Sequence, residues 1–150
     1  MADVPLRRQL LRLIDGVDAH MTFEDAVADF PDESMNVRPP HVDYTPWHLI
    51  EHLRLTQRDI LDYVTNPAYV EREWPREYWP DPVEMATRAT WDATVRGFLT
   101  DRSTLRELVA DEGRDLFAVI AGTRGHTLLR EVRIVADHNA YHVGEFAILR

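Results

Sequence analysis

Apolar side chains recur along this chain at spacings of three and four, with no sustained alternation of two. The first period belongs to a helix and the second to a half-buried strand. Leu6, Leu10, Leu13, Ile14, Val17, Phe23, Val27 and Phe30 fall on one stripe, which predicts a first helix over residues 4–30, with Gly16 as a point of kinking. Pro31 opens a polar link, PDESMNVRPPHVDY. Thr45 then supplies an N-cap and Pro46 the favoured first helical position. That second helix is expected to run to Thr65, where Asn66-Pro67 stops it. Asp81-Pro82-Val83-Glu84 reads as a capping box, again with proline at the first helical position. The third helix it predicts carries Met85, Ala89, Val95, Phe98 and Leu99, bends near Asp101 to Thr104, and continues through Leu105, Leu108 and Val109. Residues 111–126 hold Gly113, Gly122 and Gly125 and are expected to be irregular; Thr127 then caps a last helix that runs to the C-terminus.

The pattern predicts an all-α fold. Four amphipathic helices in one domain over residues 1–150 fit an up-and-down four-helix bundle, or one with a long crossover. The unusual piece is the connection between the second and third helices, NPAYVEREWPREYWPDP. It sets Tyr69, Trp74, Tyr78 and Trp79 among four prolines and is too apolar for a solvated linker. It is expected to form a hydrophobic lid over the helices, with a ligand platform as the other reading.

Composition narrows the chemistry. The chain has 150 residues, 45% hydrophobic and 29% charged, which suits one globular domain able to bury roughly 70% of its unfolded surface. No stretch approaches the ~20 apolar residues of a membrane span, so no membrane partner is expected. The net charge of −9, and the lack of any basic cluster, argue against a nucleic-acid partner. The N-terminal stretch is too charged for the apolar core of a signal peptide, which leaves a cytoplasmic location as the expectation. Cysteine is absent, so no disulfide, thiolate ligand or cysteine nucleophile is available. Every basic residue is arginine, which removes Schiff-base chemistry and a P-loop. Ser34 and Ser103, the two serines, lie outside any G-x-S-x-G elbow. Histidine, carboxylate, tyrosine and a bound metal remain.

The histidines carry the signal. On the last helix Glu131, His138, His142 and Glu145 fall along one edge of the apolar stripe. His138 and His142, at i and i+4, stand roughly 6 Å apart at Cβ and can converge on one ion. On the second helix His52 lies on the core side, beside Leu49 and Leu53, and His48 lies nearer the rim. A histidine from that helix can therefore meet the pair, with His52 the better placed. Glu131 and Glu145 read as acceptors for imidazole N–H groups or as solvated charges. His20, His41 and His126, near helix ends and links, read as structural.

Two stretches carry a family resemblance. Tyr44-Thr-Pro-Trp-His-Leu-Ile-Glu-His-Leu53, with Asp137-His-Asn-Ala-Tyr-His-Val-Gly-Glu145 far downstream, resembles the DinB/YfiT-like superfamily, the damage-inducible metal-dependent four-helix-bundle proteins. The resemblance implies a divalent metal held by three histidines, one from the second helix and two from the fourth. By motif position these are His52, His138 and His142, with registration through His48 as the alternative. It also implies nickel or zinc as the metal, with iron or manganese as further choices. Some relatives are thiol transferases that conjugate bacillithiol, mycothiol or glutathione to electrophiles; a related one is an isomerase.

The leading expectation is therefore a metal-dependent enzyme, thiol transferase-like or hydrolase-like. Three histidines would hold the ion, and Tyr44, Trp47, Trp74 and Trp79 would wall a cavity for a small-molecule substrate such as a low-molecular-weight thiol. Two rivals stand beside it. One is a non-catalytic metal-binding stress-response module, closed by His48 or Glu145 as a fourth ligand. The other is a metal-free bundle that dimerises through an apolar edge. A homodimer is expected in any case.

Overall fold

The computed structural model describes residues 3–150. Five α-helices account for its regular structure: α1 (Val4–Asp15), α2 (Phe23–Val27), α3 (Pro46–Thr65), α4 (Arg88–Ala110) and α5 (Leu128–Leu149). A single 3-10 turn follows α2 at Asp32–Ser34. Among the described residues there is no strand, only an isolated bridge between Val119 and Thr127. The all-α expectation holds. Among the described residues no helix is long and apolar enough to cross a membrane.

Threonine starts four of the five helices. The hydroxyls of Thr22, Thr45, Thr87 and Thr127 accept the backbone N–H three residues on, satisfying a donor that has no partner within its helix. At Thr45 the cap is reciprocal, because the Thr45 N–H donates to His48 Nδ1 at 3.3 Å. The boundaries of α3 and α5 are those read from the sequence.

Two expectations are corrected. The first helix does not run to Phe30. It ends at Asp15, where Gly16 takes the left-handed conformation (φ 67°) and its N–H caps the carbonyls of Arg12 and Leu13. A Cβ there would also lie 2.7 Å from the His20 ring. The chain re-enters a helix only for Phe23–Val27. Second, Asp81 does not cap the third long helix: its carboxylate accepts the N–H of Val83 in a local turn, and α4 begins seven residues after Asp81, at Arg88. α4 continues through Asp101–Thr104, as the spacing of Leu105, Leu108 and Val109 predicts.

Burial explains the arrangement. α3 lies against both α4 and α5, and α1 lies against the same two helices. Leu49, Ile50 and Leu53 on α3 meet Trp91 and Phe98 of α4 and Val143 and Phe146 of α5 in one apolar cluster. α2 contributes Phe23, stacked on Phe98 at 3.9 Å, and Phe30 stacks on Trp91 at 4.9 Å. Each such ring, fully buried, stabilises the fold by about 1.5–3 kcal/mol. A second cluster at the far end joins Leu10 and Ile14 of α1 to Val109, Leu116, Leu128 and Val132. Beside it the buried Arg7 guanidinium donates to the carbonyls of Val109 (2.7 Å) and Arg114 (2.5 Å), closing the free C-terminal end of α4. Between the clusters, Asn139 donates to Gln57 (3.1 Å) and Gln57 donates to the Phe98 carbonyl (2.8 Å), a buried chain that fixes α5, α3 and α4 in register.

Candidate metal centre

The apolar contacts that bury one face of α3 also carry His52 inward, since it lies between Leu49 and Leu53 on the same face. Asn139 anchors α5 at the same level, so His138 and His142 flank a fixed point. One nitrogen from each of His52, His138 and His142 lies within 4.8 Å of the other two. The Nε2 atoms of His52 and His138 are 3.2 Å apart.

What the other ring nitrogens do decides the chemistry. His52 Nδ1 lies 2.6 Å from the Tyr78 carbonyl, which can only accept, so this nitrogen carries the proton and Nε2 carries a lone pair. The Trp79 indole stacks flat on the same ring, centroids 3.9 Å apart and planes 5° apart. His142 Nδ1 lies 2.5 Å from a carboxylate oxygen of Glu145. His138 Nδ1 has Thr56 Oγ1 at 3.5 Å, a hydroxyl whose own proton goes to the carbonyls of His52 and Leu53. In each ring Nδ1 faces a protein acceptor, which leaves Nε2 for the shared space.

Burial, with the neighbouring imidazoles adding to it, pushes the pKa of both His52 and His138 down to about 4. Both rings are therefore neutral at pH 7, the state a metal requires. The donors fit a first-row divalent ion. For bonds of about 2.1 Å, two ligands sit roughly 3.0 Å apart on an octahedral edge and roughly 3.4 Å apart on a tetrahedral one; the observed 3.2 Å lies between. Neutral imidazole suits zinc, nickel, copper or iron better than magnesium or calcium.

The remaining predicted residues divide. Glu145 is at the cluster, beside His142. Its charge pushes the phenol of Tyr141 up, and it adds to the upward push of burial on Tyr44. Tyr44 packs against Trp79 at 5.3 Å, and with Asp43, His48, Pro80 and Pro82 these two line a recess. His48 stands apart from the cluster. One of its nitrogens accepts the Thr45 N–H of the helix cap, and the other bonds the Glu84 carbonyl at 2.9 Å. Glu131 also lies elsewhere, buried against Arg130 and His126. Trp47 does not wall the recess: it is a core residue whose indole donates to Thr94 at 3.2 Å. Trp74 is 67% exposed and touches Tyr78 alone of the aromatic rings. Of the histidines read as structural, His20 bonds the Met21 carbonyl and His126 the Tyr63 hydroxyl.

Sequence reading missed Tyr78 and Thr56. The first acts through a main-chain carbonyl, which leaves no trace in a residue pattern. The second lies one turn beyond His52, and that spacing was the available clue.

A model of the DinB superfamily matches residues 17–146, a span that holds all three histidines, and the chain belongs to that superfamily. No curated protein and no solved structure matches it.

Proposed function

We propose that this chain is a metal-dependent enzyme, a single-domain four-helix bundle in which His52, His138 and His142 hold one divalent ion. The observation that carries this reading is the sidedness of the three rings. Each turns Nδ1 to a protein acceptor, and one nitrogen of each lies within 4.8 Å of the other two. Nickel or zinc is the proposed metal, with iron or manganese also compatible. When bound, such an ion lowers the pKa of a thiol or water into the neutral range, which fits a thiol transferase-like or hydrolase-like reaction on a small molecule. The chain's own groups then have separable tasks. Tyr78 and Glu145 keep the two rings turned toward the ion; Trp79 covers His52 against water; Tyr44 and Trp79 border the recess that would take the substrate, a low-molecular-weight thiol.

A closed structural site takes four protein ligands, whereas a catalytic one keeps a position open. The two residues able to supply a fourth are both engaged. His48 spends its nitrogens on the α3 cap and on Glu84, and Glu145 lies against His142 Nδ1. This supports an open site over the non-catalytic module. The cytoplasm and a homodimeric state complete the proposal; the exposed Tyr141 and Ile148 of α5 supply apolar surface for the latter.

The test is metal content per chain by elemental analysis, on protein purified without a His-tag and dialysed against a mild chelator. Metal near one per chain that can be removed and restored while the far-ultraviolet circular dichroism stays helical supports the reading. Metal that leaves only with the fold favours a structural ion, and a His142→Ala variant that keeps stoichiometric metal overturns the ligand set.

A further inference from the structure

A buried carboxylate with no part in the ligand set stands two helical turns beyond His52. Asp59, 7% exposed, accepts the hydroxyl of Tyr78 at 2.8 Å and that of Tyr69 at 3.1 Å, and the Arg72 guanidinium lies 3.4 Å away. All three partners belong to the segment after α3, which is held internally by turns. No regular backbone ladder ties that segment to α3; side chains do. Tyr63 of α3 adds an edge-to-face contact with Tyr69 at 5.0 Å. Burial and the Asp59 charge push Tyr78 up to about 12, and Tyr69 higher still, so both phenols remain donors. Tyr78 thus makes two contacts with α3 in opposite senses. Its side chain gives a proton to Asp59, and its carbonyl takes one from His52 Nδ1 at 2.6 Å.

We propose that Asp59 is a positioning residue for His52. By gripping the phenols of Tyr69 and Tyr78 it sets the path of the chain, and that path presents the Tyr78 carbonyl to His52 Nδ1. The proton is held there and the Nε2 lone pair stays turned toward His138 and His142. The role rests on the metal-binding reading, but it concerns a property of the metal-free protein and is measurable there.

Two variants test it. Tyr78→Phe deletes the hydroxyl and keeps the carbonyl; Asp59→Asn keeps the shape and removes the charge. The tautomer of His52 is read in metal-free, 15N-histidine-labelled protein by two-bond nitrogen–proton correlation, with the resonance assigned through His52→Gln. The wild type is expected to hold the proton on Nδ1, and both variants to move a substantial fraction to Nε2. Cobalt(II) titration is expected to give unchanged stoichiometry and about tenfold weaker binding in both. Folded variants that keep the wild-type tautomer overturn the proposal, even if they melt earlier, because a purely structural clasp does that and no more. Should Asp59→Asn fail to fold, Tyr78→Phe decides alone. A wild type that takes up no cobalt sinks the metal reading instead, and the tautomer spectra still settle what Asp59 does.

Discussion

Two histidine-bearing networks join α3 to α5, and their chemistries are opposite. At one, His126 meets the Tyr63 hydroxyl at 2.7 Å and Glu131 at 3.4 Å, and Glu131 is paired with Arg130. Every charge there has a partner within the chain, and the network is closed. At the other, His52, His138 and His142 spend one nitrogen each on the protein and direct the second at one another. No acid lies among those second nitrogens; the nearest one, Glu145, is behind His142. The number of histidines, one against three, is not the decisive difference. What separates them is whether the donors and acceptors sum to a finished network or leave lone pairs converging on a gap.

The sharpest break between the clusters is replacement of one histidine in each. His52→Ala is expected to abolish metal retention, and His126→Ala to leave it at the wild-type level, both read by elemental analysis. Acid should act next most strongly, and on the metal-free protein. His52 and His138 have folded pKa values near 4, below the unfolded value of about 6.5. Between those limits the unfolded chain binds more protons than the folded one, so stability is full above about pH 6.5 and falls as pH drops toward 4. The slope is at most about 1.4 kcal/mol per pH unit for each ring. Urea melts at pH 7, 6 and 5 measure it, and an unchanged midpoint would mean that the rings are not buried as neutral groups. Removal of the carboxylate beside His142 comes third. Glu145→Gln should weaken metal binding roughly 10–100-fold, whereas Glu131→Gln should leave the metal dissociation constant alone. The smallest effect belongs to the closed network. Arg130→Ala leaves the buried Glu131 without its guanidinium and should cost about 1 kcal/mol in a thermal or urea melt, a low figure because Arg130 is itself 43% exposed.

Much of this was legible beforehand, for reasons that can be given residue by residue. α3 and α5 were readable because a threonine cap stands directly before each apolar period. His52 and the His138–His142 pair followed from those two wheels. The first helix was overread because Phe23, Val27 and Phe30 continue the three-and-four spacing of Leu10 and Ile14. Periodicity reports burial on one side, and a short helix with a loop residue behind it buries its side chains at the same intervals. Asp81 was misread because an aspartate that accepts an N–H two residues on makes a turn as readily as it starts a helix. Trp47 adjoins His48 in sequence, yet its indole turns to Thr94 of α4 while His48 lines the recess. One residue along a helix is a rotation of about 100°, enough to turn two adjacent buried side chains to different neighbours. The clasp at Asp59 was out of reach: its partners lie ten and nineteen residues away, in a segment with no period to fix which way a side chain turns.

Synthesis order gives the buried Arg7 a further meaning. Its two acceptors, Val109 and Arg114, lie 102 and 107 residues downstream, and His52 waits 86 residues for His138. A nascent chain on the ribosome therefore holds an early arginine and an early imidazole long before either can find its match. The three rings cannot converge before α5 has emerged from the exit tunnel, and Arg7 cannot be gripped before Val109 and Arg114 have emerged. Such long-range closure slows folding relative to a helical protein of local contacts. It also makes loading of the proposed ion wait until His138 and His142 have been synthesised.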